Sequence, residues 1–147
     1  MTITLDTLKA EQERLAALIA KFEAQPAYPV EIAFPELKSG ERYVGAIISP
    51  DGAKREHIIL LPGEAESVNW KEAQAWAESA GGELPDRCES ALLFATMKDE
   101  FKEAWYWTGE QCGSNNAWVQ LFSLGDQYYY NRSGSYRARA VRRLKIS

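Results

Sequence analysis

Residues 105–143, WYWTGEQCGSNNAWVQLFSLGDQYYYNRSGSYRARAVRR, hold nine large aromatic side chains in short runs parted by Gly, Asn, Ser and Asp. Such runs read as strands joined by polar turns. The strands expected are Tyr106 to Thr108, Ala117 to Phe122, Gln127 to Asn131 and Arg137 to Leu144. Their turns fall at Gly113 to Asn116, Leu124 to Asp126 and Ser133 to Ser135. Large rings among Ser, Gly and Asn are also the composition of antibody-like paratopes, where rigid aromatics give contact area and small polar residues give adaptable hydrogen bonds. The stretch predicts a binding surface and names no ligand.

Upstream, Glu41 to Ser49 and Glu56 to Leu61 are β-branched and apolar, and Pro50-Asp51-Gly52 between them is a turn tripeptide, so a hairpin is expected. His57, the one histidine, opens the second strand without a nearby Cys or His and reads as structural. Two helices follow. Asn69 with Glu72, and Asp86 with Glu89, each form an N-cap with a reciprocal acid at the third position. The first helix presents Trp70, Ala73, Trp76, Ala77 and Ala80 inward and stops at Gly81-Gly82. The second, from about Arg87 to Lys98, offers Ala91, Leu92, Ala95 and Met97 to the core. GGELPD between them lacks the lysine and preceding strand of a phosphate loop.

At the N-terminus, Leu5, Leu8, Leu15, Ile19 and Phe22, with Gln12 in the remaining position, are spaced 3-4-3-4-3, the seam of a coiled coil. The helix ends before Pro26. Gln12 at a core position is the kind of polar insertion that fixes register. An isolated helix of this length is marginal in water. The seam is therefore covered either by other copies, as a dimer or trimer, or by the chain's own domain, the second option helped by Leu18 beside the seam. QPAYPVEIAFP, residues 25–35, has three prolines and room only for a short extended piece around Val30 to Phe34. The organisation expected is a helical arm over 1–25, a linker over 26–39 and one α+β domain over 40–147.

The 147 residues are 46% apolar, enough for a core without disulfides or metals. No run approaches a membrane span, and the charged N-terminal stretch lacks the apolar core of a signal peptide. Synthesis in the host cytoplasm without membrane insertion is expected, followed by residence there or incorporation into a larger assembly such as a virion. Cys88 and Cys112 are expected as free thiols. The net charge of -4 argues against nucleic acid, although all charges after Asp126 are basic: Arg132, Arg137, Arg139, Arg142, Arg143 and Lys145. Arg137, Arg139, Arg142 and Arg143 are expected on a terminal strand, paired with the acidic helices.

In order, GGELPDRCESALL, WYWTGE, AWVQLF, the glycine turn at Gly125 and RARAVRR resemble the C-type-lectin-like domains found at the C-terminus of bacterial collagen-like adhesins and in small phage and prophage proteins. The resemblance spans Gly40 to Leu144. It implies a twisted antiparallel sheet backed by two helices, with the final third presenting a variable surface. Some phage relatives are rewritten by diversity-generating retroelements in the segment matching Trp107 to Arg143. Carried over by position, the ligand-binding candidates are Asn115, Asn116, Gln120, Gln127, Tyr128, Tyr130, Asn131, Ser133, Ser135 and Tyr136. The framework candidates are Trp105, Trp107, Trp118, Phe122, Gly125 and Val141. Strand alternation turns either Tyr128 and Tyr130 or Tyr129 outward, and the first is expected. The calcium-ligand triplets of sugar-binding lectins, Glu-Pro-Asn or Gln-Pro-Asp and Trp-Asn-Asp, are absent, so no metal and no cofactor is expected.

One histidine and two distant cysteines do not make a hydrolytic metal site or a nucleophile with its base, and no enzyme is expected. The reading expected first is a phage- or prophage-encoded protein that binds a host protein or glycan and gains avidity through a homo-oligomeric arm with its seam at Leu5, Leu8, Gln12, Leu15, Ile19 and Phe22. A second is an intracellular protein that binds and blocks a host defence or regulatory factor, for which the acidic first two thirds suits a basic target. A third is a structural component of a larger particle.

Overall fold

The computed structural model describes residues 3–24 and 33–146. The chain divides into two compact units, residues 1–33 and 34–147. The first holds α1, Leu5–Ala24, opened by Thr4, whose hydroxyl accepts the Thr7 N–H at 3.2 Å. No residue of α1 is buried, and Leu5, Leu8, Leu15, Leu18, Ile19 and Phe22 are 54% to 76% exposed. Most of the extended piece expected around Val30 to Phe34 lies outside the described residues.

The second unit is α+β. Its elements are β1 Arg42–Ile48, β2 Arg55–Leu60, β3 Ala65–Val68, α2 Trp70–Ser79, α3 Arg87–Met97, β4 Trp105–Cys112, β5 Asn116–Leu121, β6 Gln127–Asn131, β7 Tyr136–Ala138 and β8 Val141–Lys145. The expected hairpin is β1–β2, its turn closed by Gly52 N–H on Ser49 O at 2.8 Å. Both expected capping boxes form, at Asn69 with Glu72 and at Asp86 with Glu89. The domain begins earlier than expected. Phe34 sets its ring against Tyr43 at 4.8 Å, and Arg142 reaches the Glu36 carbonyl at 3.1 Å, so the last part of the expected linker belongs to the domain.

There are two sheets, ordered β1-β2-β8 and β3-β7-β4-β5-β6. The second is mixed, because β7 runs parallel to β4 through Tyr106 and Arg137, so the wholly antiparallel sheet expected is corrected here. The single strand expected over Arg137 to Leu144 is two strands in different sheets. The switch occurs at Arg139-Ala140. Arg139 turns inward to bond Leu61 O at 3.0 Å and Glu100 O at 2.7 Å, and Leu61 N–H donates to Ala140 O at 3.0 Å. Strand β3 escapes a reading from sequence because AESV is short, half charged or polar, and irregular in register.

The core lies in two clusters. One joins Trp107, Ala117, Val119 and Ala138 to Ala73 and Ala77 of α2, and the other joins Ile58, Leu60, Tyr106, Phe122 and Val141 to Leu93 and Met97 of α3. Trp70 and Trp76 are half-buried on the first, whereas Ala80 is the exposed cap of α2. Helix α3 is turned differently from expectation: Glu89, Ser90, Leu93 and Met97 are buried, while Ala91 and Ala95 are exposed. Glu89, Leu93 and Met97 form one row, and Ala91 and Ala95 stand about 200° round from it. Glu89 faces inward because Arg143 meets it there.

The tail arginines are paired with carboxylates. Arg137 meets Glu64 at 3.0 Å, Arg142 meets Glu41 at 2.7 Å, and Arg143 meets Glu83 and Glu89, each at 2.6 Å. Only Glu89 of these acids is helical, so the partners come mainly from loops rather than from the acidic helices expected. Hydrogen bonds from Arg142 hold the Glu41 carboxyl down to about 2. A depressed folded pKa gives stability that is complete above the unfolded carboxyl range and lost as pH falls toward the folded value. Wild type is therefore expected to lose stability between about pH 4.5 and 2 more steeply than Glu41→Gln, measured by urea unfolding across that range. Parallel pH profiles for the two proteins would remove Glu41 from the acid response.

Candidate functional site

Strands β5 and β6 pair without irregularity, Ala117 opposite Tyr130, Trp118 opposite Tyr129 and Val119 opposite Tyr128. Opposed residues share a face. Tyr128 and Tyr130 therefore leave on the side of buried Ala117 and Val119, and Tyr129 and Gln127 leave on the side of Trp118 and Gln120. Each face is covered at one end only. At the start of β6, Arg87 of α3 lies 3.6 Å from the Trp118 ring and bonds Gln127 through Nε at 3.0 Å. At the far end Tyr130 stacks on Tyr136 at 5.1 Å and meets Trp105 edge-on at 5.4 Å.

The outward set is consequently different from expectation. Tyr128 is 50% and Tyr129 41% exposed, and their rings stack at 4.8 Å. Tyr130 and Tyr136 are half-buried, the latter also against Trp107, and burial pushes the Tyr136 hydroxyl pKa up. Strict alternation fails because this is an edge strand whose covers are staggered. The two tyrosines leave opposite faces yet stack, so their rings meet around the strand's margin.

Gln120 is also corrected. It is 1% exposed, with its amide on the carbonyls of Leu121 and Asp126, and its oxygen accepts from Gln127 at 2.9 Å. Gln127 in turn donates to Arg87 O at 2.7 Å, so both amides are occupied within the fold. Asn115, Asn131, Ser133 and Ser135 are exposed and Asn116 half-exposed. Asn131 Oδ1 takes the Ser133 N–H at 2.9 Å, which shapes the β6–β7 turn.

The exposed candidates gather in two places. A shallow groove of about 460 Å³ runs along Trp105, Asp126, Gln127, Tyr128 and Tyr130. A cleft of about 370 Å³ lies between the start of α2, at Trp70 and Lys71, and the turns bearing Asn115, Asn131 and Ser133. Arg132 ties that cleft together: its N–H donates to Asn115 O at 2.9 Å, its guanidinium to Ser114 O at 2.8 Å, and its carbonyl accepts the Trp70 N–H at 3.1 Å. Tyr129, Lys71 and Arg132 are absent from the binding residues expected from sequence, and Trp70 was expected in the core, where it is half-buried. Only the position of Arg132 in the turn, apart from the clustered tail arginines, could have hinted at its separate role. Of the framework candidates, Trp107, Phe122 and Val141 are buried, Trp105, Trp118 and Gly125 are half-buried, and Gly125 abuts the Phe94 ring.

A further cleft, of about 390 Å³, lies by Gly82, Asp86, Glu110 and Arg143, but the Arg143 guanidinium there is occupied by Glu83 and Glu89. Cys88 and Cys112 are free. Burial and the neighbouring carboxylates push the Cys88 thiol up, which keeps it in the less nucleophilic form. His57 is buried in β2 with Nδ1 2.8 Å from the Tyr43 hydroxyl. Among the described residues no group of three His, Cys, Asp or Glu is gathered to hold a metal, and no described helix is long and apolar enough to cross a membrane. No protein-family model and no curated protein matches the chain.

Proposed function

We propose that this is a non-enzymatic, phage- or prophage-encoded ligand-binding protein of the C-type-lectin-like class, and that its ligand is a host protein or glycan met at the β6 margin. The lectin-like reading is supported by the closing strand β8 pairing back onto the first hairpin at β2, and by the two helices lying between that hairpin and the aromatic strands.

The observation that carries the binding site is a contrast among strand margins. Exposed sheet edges are ordinarily blunted by charge, proline or a bulge. Among the described residues, β1 carries Arg42 and a register shift at Tyr43/Gly45, β3 carries Glu66 and a register shift, and β8 carries Arg142, Arg143 and Lys145. Strand β6, Gln-Tyr-Tyr-Tyr-Asn, has none of these devices. Its flanking bonds, Leu121 N–H to Asp126 O and Arg132 N–H to Asn115 O, fix the phase of the ladder. By alternation, the N–H and C=O of Tyr128 and Tyr130 face β5, and those of Gln127 and Tyr129 face outward. Main-chain groups at strand spacing, flanked by two exposed rings, suit an extended segment of a protein partner better than a sugar.

The test compares capture of partners from host envelope and host cytosol by wild type, Tyr129→Ala, Tyr129→Pro and Tyr128→Ala/Tyr129→Ala. The double variant is expected to lose at least about tenfold in affinity, the cost of removing two aromatic anchors. Tyr129→Pro is expected to lose more than Tyr129→Ala while still folding, since that N–H is not used toward β5. Equal losses in Pro and Ala would assign recognition to side chains alone, as for a glycan. Partners retained by every variant would move the site off β6.

A further inference from the structure

We infer that α1 is one strand of a parallel, in-register coiled coil made by copies of this chain. The inference stands apart from the β6 reading, because it concerns what covers a different surface. Helix α1 is twenty residues long with no buried residue, and its large apolar side chains lie on one side. Asp6, Glu13, Arg14 and Lys21 lie away from that seam, while Lys9, Glu11 and Glu23 flank it. A lone helix of that length does not hold itself together in water.

The identity of the cover follows from the layers. In heptad terms Leu5, Gln12 and Ile19 take one core position and Leu8, Leu15 and Phe22 the other. In a parallel, in-register assembly each residue meets its own copy. Gln12 then meets Gln12, whose amide carries both donors and an acceptor and so satisfies its counterpart inside an otherwise apolar seam. Turning one helix round while keeping every layer puts Leu5 opposite Phe22, Ile19 opposite Leu8 and Gln12 opposite Leu15. That arrangement buries an amide against an isobutyl group, and an unpaired buried polar group is costly. Only like-with-like layering keeps all six positions matched. Leu18 and Ala16 flank the seam and widen the apolar stripe beyond its two core positions.

The test uses the full chain. Wild type is expected to sediment at two or more times the chain mass at micromolar concentration. Leu8→Glu/Leu15→Glu is expected to weaken association by at least about tenfold, since charge replaces apolar contact in two layers. The near-UV signal of residues 34–147 should not change in that variant, which separates loss of assembly from loss of fold. In a Cys88→Ser/Cys112→Ser background, Leu8→Cys chains should cross-link to one another on mild oxidation. A monomeric wild type overturns the inference, as does a Leu8→Glu/Leu15→Glu variant of unchanged mass. Cross-linking of Leu8→Cys only to Ile19→Cys chains overturns the parallel arrangement, and with it the role of Gln12.

Discussion

Arg143→Ala is expected to destabilise the second unit by about 3–5 kcal/mol, the cost of leaving a buried charge without its partner. Glu89 is fully buried in α3 and receives Nε of Arg143 at 2.6 Å and Nη2 at 2.7 Å. The same guanidinium reaches Glu83 at 2.6 Å, and these bonds raise the arginine's pKa above its ordinary value. One side chain from β8 thus fastens α3 and the turn before it. Without it, Glu89 keeps the Asp86 N–H of its capping box and little else among the described residues. Urea unfolding of Arg143→Ala, Glu89→Gln and the double variant would measure this. The double variant should be less damaged than Arg143→Ala, because the stranded charge is gone. A loss below about 1 kcal/mol in Arg143→Ala would place the pair among ordinary surface ion pairs and defeat the argument.

Gly82→Ala is expected to be comparably damaging, by about 3 kcal/mol or more, through steric overlap with main chain. A Cβ at Gly82 would stand 2.2 Å from Val141 O and 2.7 Å from Leu61 Cδ1. That carbonyl accepts the Glu83 N–H at 2.9 Å, and Val141 N–H returns a bond to Glu83 O at 2.9 Å. The backbone cannot retreat without breaking the junction that joins the α2–α3 connection to β8. The neighbouring Gly81→Ala is the control. Gly81 has φ +92 but nothing within 4 Å of a new Cβ, so its substitution carries backbone strain alone. Unfolding midpoints for the two variants should separate clearly, and a Gly82→Ala protein as stable as Gly81→Ala would contradict the clash.

Sequence was sufficient wherever the deciding physics is local. Pro50-Asp51-Gly52 fixed a turn, the two capping boxes fixed the starts of α2 and α3, and the 3-4 spacing fixed α1, because each depends on residues a few positions apart. The α+β class follows from those elements and the aromatic runs. Of the residues expected on the binding surface, Asn115, Asn131 and Ser133 are exposed about one cleft and Tyr128 along a separate groove.

Individual roles in that surface were decided only by tertiary structure. Period-2 alternation treats each face of a strand as uniformly wet or dry, but Arg87 covers one end of β6 and Tyr136 the other. Tyr129 therefore emerges beside Tyr128, while Gln120 and Tyr130 turn inward. The break of the terminal strand at Arg139 has the same origin. Nothing local in RARAVRR tells one arginine from the next; Arg139 turns inward because the Leu61 and Glu100 carbonyls, 78 and 39 residues away, accept its guanidinium. Residues at that separation meet only once the two sheets have packed, so their assignment belongs to the fold and not to the pattern.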